Sequence, residues 1–248
     1  LGQHFLRPAS VARLVRLVDP QPDEFFLEIG PGKGALTLAL AARAGRVVGV
    51  EVDARLAQAL RVRAPASVEI LTADALEADL AALLPARARL AGNLPYYISS
   101  PLLRRILGLR ERLSDAHVML QEEVAERVAA APGSRDYGVL SVLFALWADV
   151  DIPLRFPPGA FDPSPRVGSA ILRIRFRDRP RVEVRDDAAF ERLVGQAFAQ
   201  RRKTLENNLQ HSYADLKQHL RSLKIEGSRR AETLSVVEFA RLASALSE

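Results

Sequence analysis

The chain has 248 residues, 48% of them hydrophobic, enough to bury a full core and to allow one large domain with a smaller one. It has no cysteine, which excludes disulfides and thiolate metal sites, and His4, His117, His211 and His219 are too scattered to suggest a metal cluster. It has no apolar run of about eighteen residues and no signal-like segment, so a soluble, cytoplasmic protein with no membrane partner is expected; a net charge of +5, carried mostly by arginine, favours an anionic partner.

Residues 1–10 form a lead-in segment ahead of a predicted helix over 11–18. From about residue 25 short β-type runs alternate with amphipathic stretches: strand 25–29, helix 35–44, strand 47–50, helix 54–63 and strand 68–71. Strands over 89–91, 117–120 and 170–176 and helices over 122–130 and 139–147 continue the series. Such alternation predicts a mostly parallel sheet with helices on both faces, whose ligands sit at the carboxyl ends of the strands. Residues 177–185 are charged, contain a proline and read as a linker. Beyond them only helices are predicted, over 187–199, 203–210, 213–224 and 236–246. The last opens with Ser235 and Glu238 at capping-box spacing. The expected organisation is an α/β domain over 1–178 and a small all-α domain over 179–248.

Three strand ends carry chemistry. Glu28-Ile29-Gly30-Pro31-Gly32-Lys33-Gly34 follows the first core strand and opens a helix, so a ligand can approach the backbone closely there. Its glycines do not follow the dinucleotide spacing, which disfavours a pyrophosphate turn and, with it, a nicotinamide-dependent oxidoreductase. Glu51 ends the next strand, where a carboxylate can accept from a ribose diol. Asp74-Ala75 follows the third, where a carboxylate can accept from an adenine amino group. Together they describe a nucleoside pocket; singly, each acid could equally cap a helix. Asn93-Leu94-Pro95-Tyr96 then offers an amide oxygen, a backbone carbonyl and an aromatic face, which suit a planar base with an exocyclic amine. The alternative is a plain turn in which Pro95 sets the bend and Tyr96 fills the core.

With these segments assembled, the chain resembles the S-adenosylmethionine-dependent rRNA adenine N6-dimethyltransferases, most closely the small-subunit dimethyladenosine transferase branch. The matching pieces are Gly2-Gln3-His4-Phe5-Leu6, 28–34, Glu51, Asp74, 92–100, 120–125, 161–167, Ser169-Ala170 and 198–205. The branch that modifies large-subunit rRNA shares the Asn93–Tyr96 and Phe161–Pro165 pieces; Arg201-Arg202-Lys203-Thr204 and 235–242 favour the small-subunit branch.

The resemblance implies a Rossmann-like, seven-stranded methyltransferase core with a helical C-terminal domain, and S-adenosylmethionine as cofactor. Gln3, His4, Leu6, Gly30, Gly32, Glu51, Asp74, Ala75 and Asn93 would hold that cofactor. Asn93, Leu94, Tyr96 and Phe161 would carry catalysis, the two rings sandwiching a flipped adenine; the other reading of Phe161 is a core plug. Arg201, Arg202 and Lys203 would meet RNA phosphates, although a solvated helix start reads the same way. No metal is expected. The implied reaction is dimethylation of two adjacent adenosines in the 3'-terminal hairpin of small-subunit (16S) rRNA, by a monomer acting on a 30S-type assembly intermediate. An RNA-binding assembly factor without catalysis is the competing class, and the intact acids and Asn93 speak against it. The family often has Asn where Tyr97 stands, and a basic leader ahead of Leu1 is expected to be absent or trimmed.

Overall fold

The computed structural model describes residues 4–246. Gln3, expected at the cofactor, lies outside the described residues. In chain order the elements are β1 (Phe5–Leu6), α1 (Pro8–Val18), β2 (Phe25–Ile29), α2 (Ala35–Ala41), β3 (Arg46–Glu51), α3 (Ala54–Arg61), β4 (Val68–Thr72) and β5 (Ala88–Asn93). There follow α4 (Ser99–Gly108), β6 (Leu113–Gln121), α5 (Glu122–Ala129), α6 (Val139–Trp147), β7 (Ala148–Phe156), β8 (Phe161–Asp162) and β9 (Ser169–Phe176). The chain closes with α7 (Asp187–Ala197), α8 (Leu205–Leu209), α9 (Leu216–Ser222) and α10 (Val236–Leu246).

Seven strands form one sheet in the order β4-β3-β2-β5-β6-β9-β7. The pairs β4·β3, β3·β2, β2·β5 and β5·β6 are parallel, and β6·β9 is antiparallel. The strand order reverses between β2 and β5, where a parallel sheet leaves a crevice at its carboxyl edge. In α1 the residues Val11, Leu14, Val15 and Val18 recur at helical spacing and are buried with Phe26, Leu40, Val47 and Ile171 in one core. Arg89 interrupts the apolar run of β5, yet its guanidinium forks onto Asp115 at 2.9 and 2.8 Å and reaches Glu24 at 2.7 Å. That pairing makes a charge tolerable in a central strand, and it fixes the strand that ends in Asn93.

The described chain divides into two compact units: the residues up to Ala125 with Asp151–Phe176, and Glu126–Val150 with the residues from Arg177 on. This differs from the single cut expected at 178, because 126–150 group with the C-terminal helices. The reason lies in α6, which is apolar on nearly every side and has to be covered all round. Within that unit Phe190, Leu193, Val194 and Ala197 of α7 form a buried stripe, as do Val236, Phe239, Ala240 and Ala243 of α10. Phe198 lies between Tyr137 and Phe239, with ring centroids 6.1 and 5.9 Å away. The expected capping box is present: Glu238 N donates to Ser235 Oγ at 3.2 Å, and Ser235 N to Glu238 Oε2 at 2.8 Å.

Candidate active site

One cleft at the carboxyl edge of β2, β3, β4 and β5 is lined by residues from several segments. The first is the glycine turn after β2. Gly32 has φ +56 and its N–H donates to Glu51 Oε2 at 2.8 Å; Asp53 N–H donates to Oε1 at 3.0 Å. Glu51 is thus buried yet held at both oxygens by backbone donors, each oxygen keeping a further lone pair. Gly34, at φ +80, packs so closely on α3 that a Cβ there would stand 2.3 Å from Leu60 Cδ1. The left-handed backbone at Gly34 is strained for any other residue, and a Cβ there would also have to displace Leu60.

The second segment follows β4. Asp74 Oδ1 accepts from Leu76 N–H at 2.8 Å, which fixes the carboxylate; Ala75 is buried beside it, and both line the cleft. Val52 also lines it and is 55% exposed, an apolar side chain with no cover of its own. The sequence reading missed Val52. Its signal is modest: an apolar residue directly after the strand-end acid.

The third segment is Asn93–Tyr96. Asn93 Nδ2 donates to the carbonyl of His4 at 2.8 Å. A carbonyl only accepts, so the amide NH2 must point at His4 and Oδ1 must point the other way. Leu94 is buried and its N–H donates to Met119 O at 3.1 Å. The Pro95 carbonyl accepts from Ile98 N–H at 3.2 Å, whereas no backbone N–H among the described residues is bonded to the Leu94 carbonyl. Tyr96 shares a 2.6 Å hydrogen bond with Ser169 Oγ. Burial pushes the Tyr96 phenol above its ordinary pKa, and the Ser169 contact works against that rise.

The fourth segment roofs the cleft. β1 pairs with β8, Leu6 opposite Phe161 and Phe5 opposite Asp162. Lys33 Nζ lies 4.3 Å from the centre of the Phe5 ring. His4 Nδ1 donates to Pro163 O at 2.8 Å, and the His4 ring lies over Tyr96 at 5.9 Å with the planes 26° apart. The expected sandwich of Tyr96 and Phe161 is not formed in this structure. Phe161 is fully buried in the core with Leu14, Phe26 and Ile171 and does not line the cleft. The pairing of β8 on β1 turns alternate side chains to opposite faces, and Phe161 takes the inward one. The aromatic beside Tyr96 is His4.

Glu28, part of the glycine-turn segment, has no expected role of its own. It is fully buried in the cleft wall and its Oε2 has no hydrogen-bond partner among the described residues. Burial raises its pKa to about 8; the nearby Glu51 carboxylate adds to the rise and the Thr37 hydroxyl opposes it. The wall therefore holds an orphaned acid that would gain from a cationic neighbour.

The basic trio lies in the other unit. Arg201 donates to the backbone carbonyls of Arg135 and Tyr137, the latter at 3.2 Å, and stands 3.8 Å from Glu232. Arg202 and Lys203 are exposed and carry no such contact among the described residues. No group of three or more His, Asp or Glu that could hold a metal occurs among the described residues, and none of their helices is long and apolar enough to cross a membrane.

A doubly wound sheet, a glycine turn and acids at successive strand ends define the Rossmann-like methyltransferase class. The family model described as ribosomal RNA adenine dimethylase matches residues 1–248, and the chain belongs to that family. It is 47% identical to a ribosomal RNA small subunit methyltransferase A of Geobacter metallireducens, over 99% of this chain and 94% of that one. A protein of the same name from Magnetococcus marinus is 43% identical, over 98% and 89%. Among solved structures, a Plasmodium falciparum dimethyladenosine transferase shares the fold, with TM-score 0.84, 23% identity and 96% of each chain covered. The 23S rRNA methyltransferase ErmE superimposes with TM-score 0.73 and 28% identity, over 98% of this chain and 100% of that one.

Proposed function

We propose that this chain dimethylates N6 of two adjacent adenosines in the 3'-terminal hairpin of small-subunit rRNA, using S-adenosylmethionine. Its substrate in this reading is a 30S-type assembly intermediate, met in the cytoplasm by a monomer. The observation that carries the reading is the orientation of Asn93. Its amide NH2 is committed to the His4 carbonyl, which leaves Oδ1 as an acceptor on the cleft-lining residue.

The cleft fits the cofactor on the chemistry of its walls. Glu51 and Asp74 each keep free lone pairs for a ribose diol and an adenine amine, and Val52 offers an apolar face to a planar base. Glu28 brings an unpartnered carboxyl to the same wall, suited to a ligand with positive charge. When bound, S-adenosylmethionine supplies a methyl group already activated on a sulfonium.

The adenine amine is a poor nucleophile because its lone pair is delocalised into the ring. As it attacks, it becomes positive and its N–H groups become stronger donors. Asn93 Oδ1 and the Leu94 carbonyl then bind the transition state more tightly than the ground state. Each such preorganised acceptor is worth about 2–4 kcal/mol. Tyr96, fixed by Ser169 at its hydroxyl and by His4 at its ring, offers a stacking face for a base drawn out of its helix. No general base is needed, since the proton can leave after transfer.

Undermethylated small subunits incubated with labelled cofactor should take up label at two adjacent adenosines of the terminal hairpin. Label mapping to large-subunit RNA, or to no base, would overturn the proposal.

A further inference from the structure

Of the one Trp, four Tyr and ten Phe in this chain, Tyr97 alone is exposed, with 70% of its surface open. Single exposed aromatics are ordinary on protein surfaces, so exposure by itself says little. Position is what sets Tyr97 apart, because it lines the same cleft as Asn93 and Tyr96. It makes no hydrogen bond or ring contact among the described residues, whereas its neighbour Tyr96 is tied to Ser169 and His4.

Local geometry explains how two consecutive tyrosines serve one mouth. Both belong to the single 3-10 turn Tyr96–Ile98, in which successive side chains point about 120° apart. With the Tyr96 ring anchored inside, the Tyr97 ring is carried out to the rim. The turn leads directly into α4, whose Leu102, Leu103 and Ile106 are buried, so Tyr97 stands on a fixed support.

We infer that Tyr97 is a stacking platform for the nucleotide base next to the target adenosine. The inference rests on the proposed reaction and extends it to the flanking base. A base drawn into the cleft leaves its chain neighbour unstacked at the mouth, and an uncovered aromatic ring there replaces the lost stacking. Such a contact tolerates any base identity, because every base has a π-face. It would also keep the strand engaged while the second of two adjacent adenosines replaces the first.

The test compares wild type, Tyr97→Ala and Tyr97→Phe on undermethylated small subunits, with a separate titration of S-adenosylmethionine. Tyr97→Ala should raise KM for the subunits by about 5- to 150-fold, the range expected for one lost base stack, with the change falling on KM rather than kcat. Tyr97→Phe should restore the wild-type KM, and cofactor affinity should be the same in all three. An unchanged KM in Tyr97→Ala, failure of Phe to rescue it, or a loss confined to cofactor affinity would each overturn the inference while leaving the reaction intact. A wild-type protein that methylates no adenosine in this assay would remove the proposed reaction, and the inference with it.

Discussion

In the proposed reaction Asn93 would contribute through the direction in which its amide is held. Its Nδ2 is held by one backbone carbonyl, so the acceptor half of the amide is fixed before any substrate arrives. In the proposed reaction two acceptors would face two N–H groups in the first transfer and only one N–H group in the second. Asn93→Ala should therefore slow both steps by about 10²- to 10³-fold and also change the ratio of monomethyl to dimethyl product, read by mass spectrometry. An unchanged ratio at near wild-type rate would remove Asn93 from the mechanism. Glu28 permits a prediction on stability. Its folded pKa of about 8 lies above its ordinary value of 4.5, so between those pH values the folded state holds a proton that the unfolded state has lost. Stability contributed by this group thus falls as pH rises from about 4.5 to about 8 and is level above. Glu28→Gln, which cannot ionise, should gain several degrees in Tm over wild type between pH 5 and pH 8. A Tm difference independent of pH would contradict the assignment of a neutral Glu28.

At the scale of elements, the two-residue pair β1·β8 matters out of proportion to its length. It brings His4 and Leu6 over the cleft and turns Phe161 into the core. Phe161→Ala should cost about 3–5 kcal/mol of stability through the cavity it leaves, and Phe161→Leu less, as measured by denaturant titration. The folded Leu variant should keep methylation activity within a few-fold. A hundredfold loss at unchanged stability would return the ring to the catalytic set. The elements missed in the sequence have local explanations. Pro101 reads as a helix breaker, yet it stands in the first turn of α4, where its missing N–H is of no consequence. Pro153 and two aspartates disguise β7, which lies at the sheet edge where proline is tolerated. Both β1 and β8 are two residues long and pair across more than 150 positions, so periodicity could not signal them.

For the molecule as a whole, the charge of +5 matters less than which cations are free to meet a polyanion. Arg201 is engaged by two carbonyls, whereas Arg202 and Lys203 are exposed without such contacts among the described residues. Replacing Arg202 and Lys203 together by Gln should lower the slope of log affinity for rRNA against log salt by about 1 to 2, with roughly tenfold weaker binding at fixed salt. An unchanged slope would place the RNA path elsewhere.

The sequence by itself determined the alternation of strands and helices, the glycine turn, the acids at strand ends and the Asn93–Tyr96 motif. All of these are local patterns, set by side-chain periodicity and by backbone positions that only glycine or proline fills. Tertiary structure alone decided that Phe161 is core and His4 the neighbour of Tyr96, that Glu28 is buried in the wall with no hydrogen-bond partner at Oε2 among the described residues, and that residues 126–150 group with the helical unit. Each of these depends on what is packed around a side chain, and burial by residues far away in the chain leaves no periodic trace in the residue it buries.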